Sequence, residues 1–238
     1  MILVLPFTHQ FARAIEKLIP DKASSYTQNL DKKFLSEPQV ALTAVRYVIK
    51  DEYLALLNTV RTLLSQPDKL TTSQLNELQQ ALNETHVYID LIHLSNNEDP
   101  SWKQLTSSIH ALDHMQRLHE RCEEEQDRAI TARESVELKT IFNTIKSGLS
   151  IIMHHVESDE WTIAAQHSHE MAEFINSHAE PLREQIMSKI ATGCVDIPLA
   201  TDQLEGLRWL RRVSKHINRI TNHLAQTPAG NKTHSNTS

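Results

Sequence analysis

Glycine is scarce in this chain, with 4 among 238 residues, and aromatic residues make up only 5%. Strands and tight turns draw on glycine and on aromatic or β-branched side chains. Their shortage points to an all-helical protein. Cysteine is almost absent too: Cys122 and Cys194 stand alone, with no CxxC spacing. That argues against a disulfide framework and suits a reducing cytoplasm. No apolar run approaches the roughly 20 residues that cross a bilayer, so no transmembrane segment is expected in this chain. The opening Met1-Ile2-Leu3-Val4-Leu5 stops at Pro6 and has no basic leader, so it does not read as a signal-peptide core. P-loop, nucleophile-elbow, Rossmann and zinc-knuckle patterns are missing, and the expectation is a non-enzyme. The formal net charge of -6 argues against general nucleic-acid binding.

What the chain does have is helical periodicity. Phe7, Phe11, Ala14, Ile15 and Leu18 make one face of a short helix within residues 1–21. Residues 22–37 are polar and aperiodic and read as a linker. Ser36-Glu37-Pro38 is a helix start, with Ser36 as the expected cap. The first long helix is expected over 38–65, with Val40, Ala44, Val45, Val48, Tyr53, Leu56, Leu57, Val60 and Leu64 inward. The second is expected over 73–94. The third, over 101–128, carries Trp102, Leu105, Ile109, Leu112, Met115, Leu118 and Cys122. The pattern then repeats over 135–156, 160–192 and 201–226, with Gly193 closing the fifth helix. The expected fold is all-α: two tandem antiparallel three-helix bundles, 38–129 and 134–226, with a disordered tail over 227–238.

Two charged stripes are candidate sites. Glu120, Glu123, Glu124 and Asp127 lie three and four apart at the end of the third helix, with His119 beside them. Hard cations can use such oxygens, and transition metals can add an imidazole. A solvated acidic face is the plainer reading of the same run. On the sixth helix, Arg208, Arg212, Lys215 and Arg219 follow spacings of four, three and four, and Arg211 flanks them. This basic stripe can hold phosphate, a nucleotide or acidic lipid headgroups, or it can pair with the acidic stripe across the two halves, which is the slightly favoured reading; a solvated basic face is the plainer one. Fourteen histidines include His110 with His114, His154 with His155, His167 with His169, and His216 with His223. They read as surface or satisfied bundle residues, with some pH sensitivity near neutrality.

Two segments also carry a family likeness. Gln116-Arg117-Leu118-His119-Glu120-Arg121-Cys122 and Arg211-Arg212-Val213-Ser214-Lys215-His216-Ile217-Asn218 each close a set of three helices. Both resemble the PhoU signature Glu-Arg-Ile-Gly-Asp-His-Ala, whose two acids, four apart on one helix face, hold metal ions. The first copy keeps Glu120 and has Gln116 at the other acid position. The second has Arg211 and Lys215 at both. A further series resembles the soluble part of bacterial Na+/phosphate cotransporter family proteins. It runs through Leu5-Pro6-Phe7-Thr8, Phe11-Ala12-Arg13, Glu16 to Asp21, Leu30-Asp31, Phe34-Leu35, Glu37-Pro38 and His110 to His114.

The resemblance covers residues 5–224 and implies a PhoU-like cytoplasmic domain. Its implied role is regulation of sodium-dependent phosphate transport by docking on a membrane-embedded cotransporter core, in the same or a separate chain. The implied location is the cytoplasmic face of the inner membrane, with room for a homo-oligomer. A free-standing phosphate-signalling adaptor and a metal-dependent enzyme on a helical bundle are the alternatives. No cofactor is expected beyond a divalent or iron ion at the first motif.

Overall fold

The computed structural model describes residues 24–95, 98–123 and 125–226. The expected N-terminal helix, the tail and Glu124 lie outside the described residues. Seven α-helices follow in order: α1 Pro38–Ser65, α2 Thr72–Asp90, α3 Trp102–Glu123, α4 Gln126–Glu134, α5 Lys139–Glu157, α6 Trp161–Ala191 and α7 Ile197–Ala225. Short 3-10 turns cover Lys32–Ser36 and Pro67–Lys69. Among the described residues there is no strand, and the fold is an all-α bundle. Among the described residues no helix is long and apolar enough to cross a membrane.

Local chemistry sets the helix ends. α1 starts with Pro38 at its first position, but Glu37, not Ser36, is the capping residue, and no side chain caps it. The Ser36 hydroxyl is committed elsewhere, donating to the Lys33 carbonyl. α2 opens with a reciprocal capping box: Thr71 Oγ1 accepts from the Gln74 amide at 3.3 Å, and Gln74 Oε1 accepts from the Thr71 amide at 3.0 Å. α6 ends at Gly193, whose φ of +69° suits a residue without Cβ. Gly193 and Cys194 donate their amides to the Ile190 and Lys189 carbonyls, which completes a Schellman close. Asp196 caps α7 by accepting from the Leu199 amide at 3.2 Å.

The segment read as a linker packs on α2. The Ser24 amide and the Thr27 hydroxyl donate to the Glu84 carboxylate, and the Tyr88 hydroxyl donates to the Asp31 carbonyl. A larger departure concerns the third helix. It ends at Glu123, and Gln126–Glu134 forms a separate short helix across the expected boundary. The apolar line Ala111, Met115, Leu118, Cys122 meets Glu125 at its next position. A straight helix would drive that carboxylate into the core at a cost of several kcal/mol. Glu125 is still buried at the break, where arginines surround one of its oxygens. The fourth long helix likewise begins at Lys139, after a turn over residues 136–138.

One hydrophobic cluster draws on both halves of the chain, from Leu42 and Tyr53 on α1 to Trp209 and Ile217 on α7. Val40 and Trp102, expected inward, are exposed in the first turns of their helices. Two cross-chain hydrogen bonds fix α7: Trp209 Nε1 donates to the Arg121 carbonyl at 3.0 Å, and the Tyr53 hydroxyl to the Ile217 carbonyl at 3.3 Å. Gly206 lets α7 approach α4 closely, since a Cβ there would sit 3.3 Å from the Ala132 amide nitrogen. Lys50 on α1 reaches the turn after α5, donating to Asp159 Oδ1 at 2.7 Å and to the Glu157 carbonyl at 3.0 Å.

Candidate anion-binding groove

α7 presents Leu207, Leu210, Val213, Ile217, Ile220 and Leu224 to the core. The residues between them must face sideways, and this puts the basic stripe along the seam with α6. Arg208, Arg211, Arg212, Lys215 and Arg219 all line one open groove of about 880 Å³, with His223 at one end. Across it stand His169, Glu173 and Asn176 of α6, and Ser214, Asn218 and Asn222 add neutral polar groups. Eleven residues separate Arg208 from Arg219, so the cations extend over about 16 Å at the usual helical rise. Among the described residues Glu173 is the one carboxylate that lines the groove.

The five cations differ in how they are held. Arg208 pairs with Glu205, three residues before it on the same helix. Arg211 Nη2 donates to Asn176 Oδ1 at 2.9 Å, bridging the groove. Arg212 Nη1 reaches the carboxylate of Glu125 at 3.4 Å. Lys215 and Arg219 have no acidic partner among the described residues, and both are exposed.

Glu125 is a residue that spacing alone did not single out. It is buried, and Arg121 and Arg128 donate to the same Oε1 that Arg212 approaches. Its Oε2 is buried with no hydrogen-bond partner. Arg128 also contacts Glu205 at 3.6 Å, so the cluster ties α3, α4 and α7 together. The signal was present in sequence as Arg121 and Arg128 at four before and three after Glu125. The partner from α7 was not.

The acidic stripe disperses. Glu120 is exposed and lies 3.5 Å from Arg121 Nη2. Glu123 Oε2 stands 3.8 Å from His119 Nδ1. Asp127 sits on α4, past the break, and so is not on the helix that carries Glu120 and Glu123. His119 is fully buried, with Nε2 donating to the Leu75 carbonyl at 2.9 Å. Among the described residues no group of three or more His, Cys, Asp or Glu is disposed to hold a metal ion. Among the described residues the basic stripe meets an acid of the first half at Arg212, and that acid, Glu125, is not one of the expected stripe.

No model of a known protein family matches this chain, and no curated protein or solved structure is significantly similar to it. The groove is therefore read from its own chemistry. Guanidinium groups offer paired, planar N–H donors that match the oxygens of phosphate, and lysine adds a mobile point charge.

The histidines are less settled than their spacing suggests. His110 and His114 on α3 lie against His223 and His216 on α7, with ring centroids 5.2 to 5.8 Å apart. Nδ1 of His114 and of His216 are both buried without a partner. Burial is the main cause that lowers the pKa of His114, His216 and His223, with His216 pushed down to about 4; neighbouring histidines and basic residues add to it, and at His114 Asp113 opposes it. A second set stacks at the α5–α6 turn, where His155 lies 5.5 Å from His167 and its Nδ1 is 2.6 Å from Glu160 Oε2.

Proposed function

We propose that this chain is a non-catalytic, PhoU-like regulatory domain associated with sodium-dependent phosphate transport. It docks on a membrane transport core at the cytoplasmic face, and the groove between α6 and α7 is its working surface. The observation that carries this reading is the alignment of five cations from one helix along one open groove, two of them without acidic partners among the described residues. Such a surface attracts phosphate-bearing groups or acidic headgroups, at about 1 kcal/mol per basic residue near an anionic surface. The all-helical fold and the ordered resemblance over residues 5–224 support the family assignment and the tandem two-unit organisation. Arg211 and Lys215, standing where that family has acids, make this half of the molecule an anion site in place of a metal site.

The reading is tested by reconstitution. Vesicles carrying the membrane core of a bacterial Na+/phosphate cotransporter should bind the chain and change their sodium-driven phosphate uptake when it is added. The double variant Lys215→Glu with Arg219→Glu should remove that change. A chain that neither associates with the core nor alters uptake contradicts the proposal.

A further inference from the structure

His223 belongs to two arrangements at once. It lines the basic groove. Its ring also lies 5.2 Å from His110 and 5.8 Å from His114, and His114 lies 5.5 Å from His216. Four imidazoles thus run from the groove into the α3–α7 seam. The charges around them are mostly positive: Arg117 and Arg121 from α3, Lys215 and Arg219 from α7. The facing carboxylates are Asp113, 3.9 Å from His114 Nδ1, and Glu173 across the groove on α6, where His169 also stands. An imidazolium must donate from both ring nitrogens. Nδ1 of His114 and of His216 have no acceptor to donate to. Burial and these positive neighbours favour the neutral forms of His114, His216 and His223 in the free protein.

We propose that the groove binds a polyvalent, phosphate-bearing anion together with a proton, and that His223 carries the proton. The inference rests on the groove being an anion site. The ligand class follows from its length: cations spread over about 16 Å suit a chain of several charges, such as a short polyphosphate, better than one orthophosphate. An anion seated beside His223 reverses the local field and favours imidazolium. The pKa of His223 in the complex then exceeds its value in the free protein. Affinity must rise as pH falls through that interval, by up to about tenfold for each unit of difference.

Phosphate titrates near neutrality itself, with a second pKa of about 6 in esters. The decisive probe is therefore one of fixed charge, inositol hexasulfate, used alongside tripolyphosphate. Calorimetric titrations at pH 6.0, in buffers of different ionisation enthalpy and equal ionic strength, count protons taken up per probe. The expected result is uptake of about 0.3 to 1 proton with inositol hexasulfate, and affinity at pH 6.0 about five-fold or more above that at pH 8.0. His223→Gln should abolish the uptake and flatten the pH dependence, whatever its absolute affinity. Absence of uptake in the unaltered chain overturns the proposal, as does uptake that persists in His223→Gln but disappears in His169→Gln. Failure of the groove itself looks different: neither probe binds, or Lys215→Glu with Arg219→Glu leaves binding intact. Either result removes the proton linkage with it. Vesicles containing acidic lipid, tested beside free tripolyphosphate, tell a headgroup from a soluble ligand as the source of the phosphate.

Discussion

Arg212 on α7 reaches, at 3.4 Å, a carboxylate that belongs to the break between α3 and α4: the buried Oε1 of Glu125. Arg121 and Arg128 converge on the same oxygen. The contributions are unequal. Arg212 is partly exposed and is one of three cations, so Arg212→Ala should cost less than about 1 kcal/mol. Glu125→Ala leaves two half-buried arginines facing each other and should cost about 2 to 4 kcal/mol. Urea denaturation of the two variants measures the ordering. A larger loss for Arg212→Ala contradicts it. Glu120→Lys should not rescue Arg212→Glu, because Glu120 does not face Arg212.

The pH dependence of stability above neutrality should trace to Glu52. This carboxyl is buried on α1, has no cationic partner among the described residues, and accepts from the Thr85 hydroxyl at 2.6 Å. Burial first of all pushes its pKa up from 4.5 to about 8. The native state then holds a proton that the unfolded state has already lost, so stability falls as pH rises from about 4.5 through about 8. The depressed histidines act the other way, but only below their unfolded value of 6.5. Between pH 7 and 8.5 only the Glu52 trend remains of the two. Thermal midpoints should fall across that window in the unaltered chain and stay level in Glu52→Gln. A parallel fall in both proteins rules Glu52 out as the cause.

Much of the helical framework is written locally. The expected 38–65 helix agrees with α1, and the expected ends of the second through sixth helices fall within a few residues of the observed ones, except at the third. Proline, glycine and capping residues mark these ends through contacts a few residues apart. The basic stripe was legible for the same reason, because spacings of four and three define one helix face. The break after Glu123, the burial of Glu125 and the His110–His223 stack were not. Each depends on which helix lies across the seam, and that choice is made by packing between residues about a hundred positions apart. The four histidines looked like ordinary bundle residues because nothing in their own helices shows that the opposing helix brings more imidazoles and no acceptors.

Two glycines should respond unequally to alanine. At Gly148 a Cβ would meet Met171 Sδ at 2.6 Å, a flexible side-chain atom that can swing aside. The helix-propensity gain of about 1 kcal/mol should roughly offset that shift. At Gly206 the nearest atoms include the Ala132 amide nitrogen at 3.3 Å and the Arg128 carbonyl oxygen at 3.4 Å. Backbone cannot step back without parting α7 from α4, so Gly206→Ala should lose about 1 to 3 kcal/mol. Equal thermal midpoints for the two variants would show that the α4–α7 approach is looser than described.

The α5–α6 turn offers a smaller test. Asp159 has a φ of +59° and receives Lys50 from α1. Asp159→Gly relieves the backbone but removes the ion pair, so the stability change should stay within about 1 kcal/mol. Asp159→Val keeps neither benefit and should be clearly worse, by about 1 to 3 kcal/mol, in the same denaturation assay.

The most direct measurement is the affinity of the purified chain for tripolyphosphate as a function of salt. The groove account predicts binding that weakens steeply as sodium chloride is raised. It also predicts that Lys215→Glu with Arg219→Glu weakens binding by about tenfold or more, with an unchanged thermal midpoint, since neither side chain has an acidic partner among the described residues to lose. Salt-insensitive binding, or a double variant that binds as tightly as the unaltered chain, would contradict it.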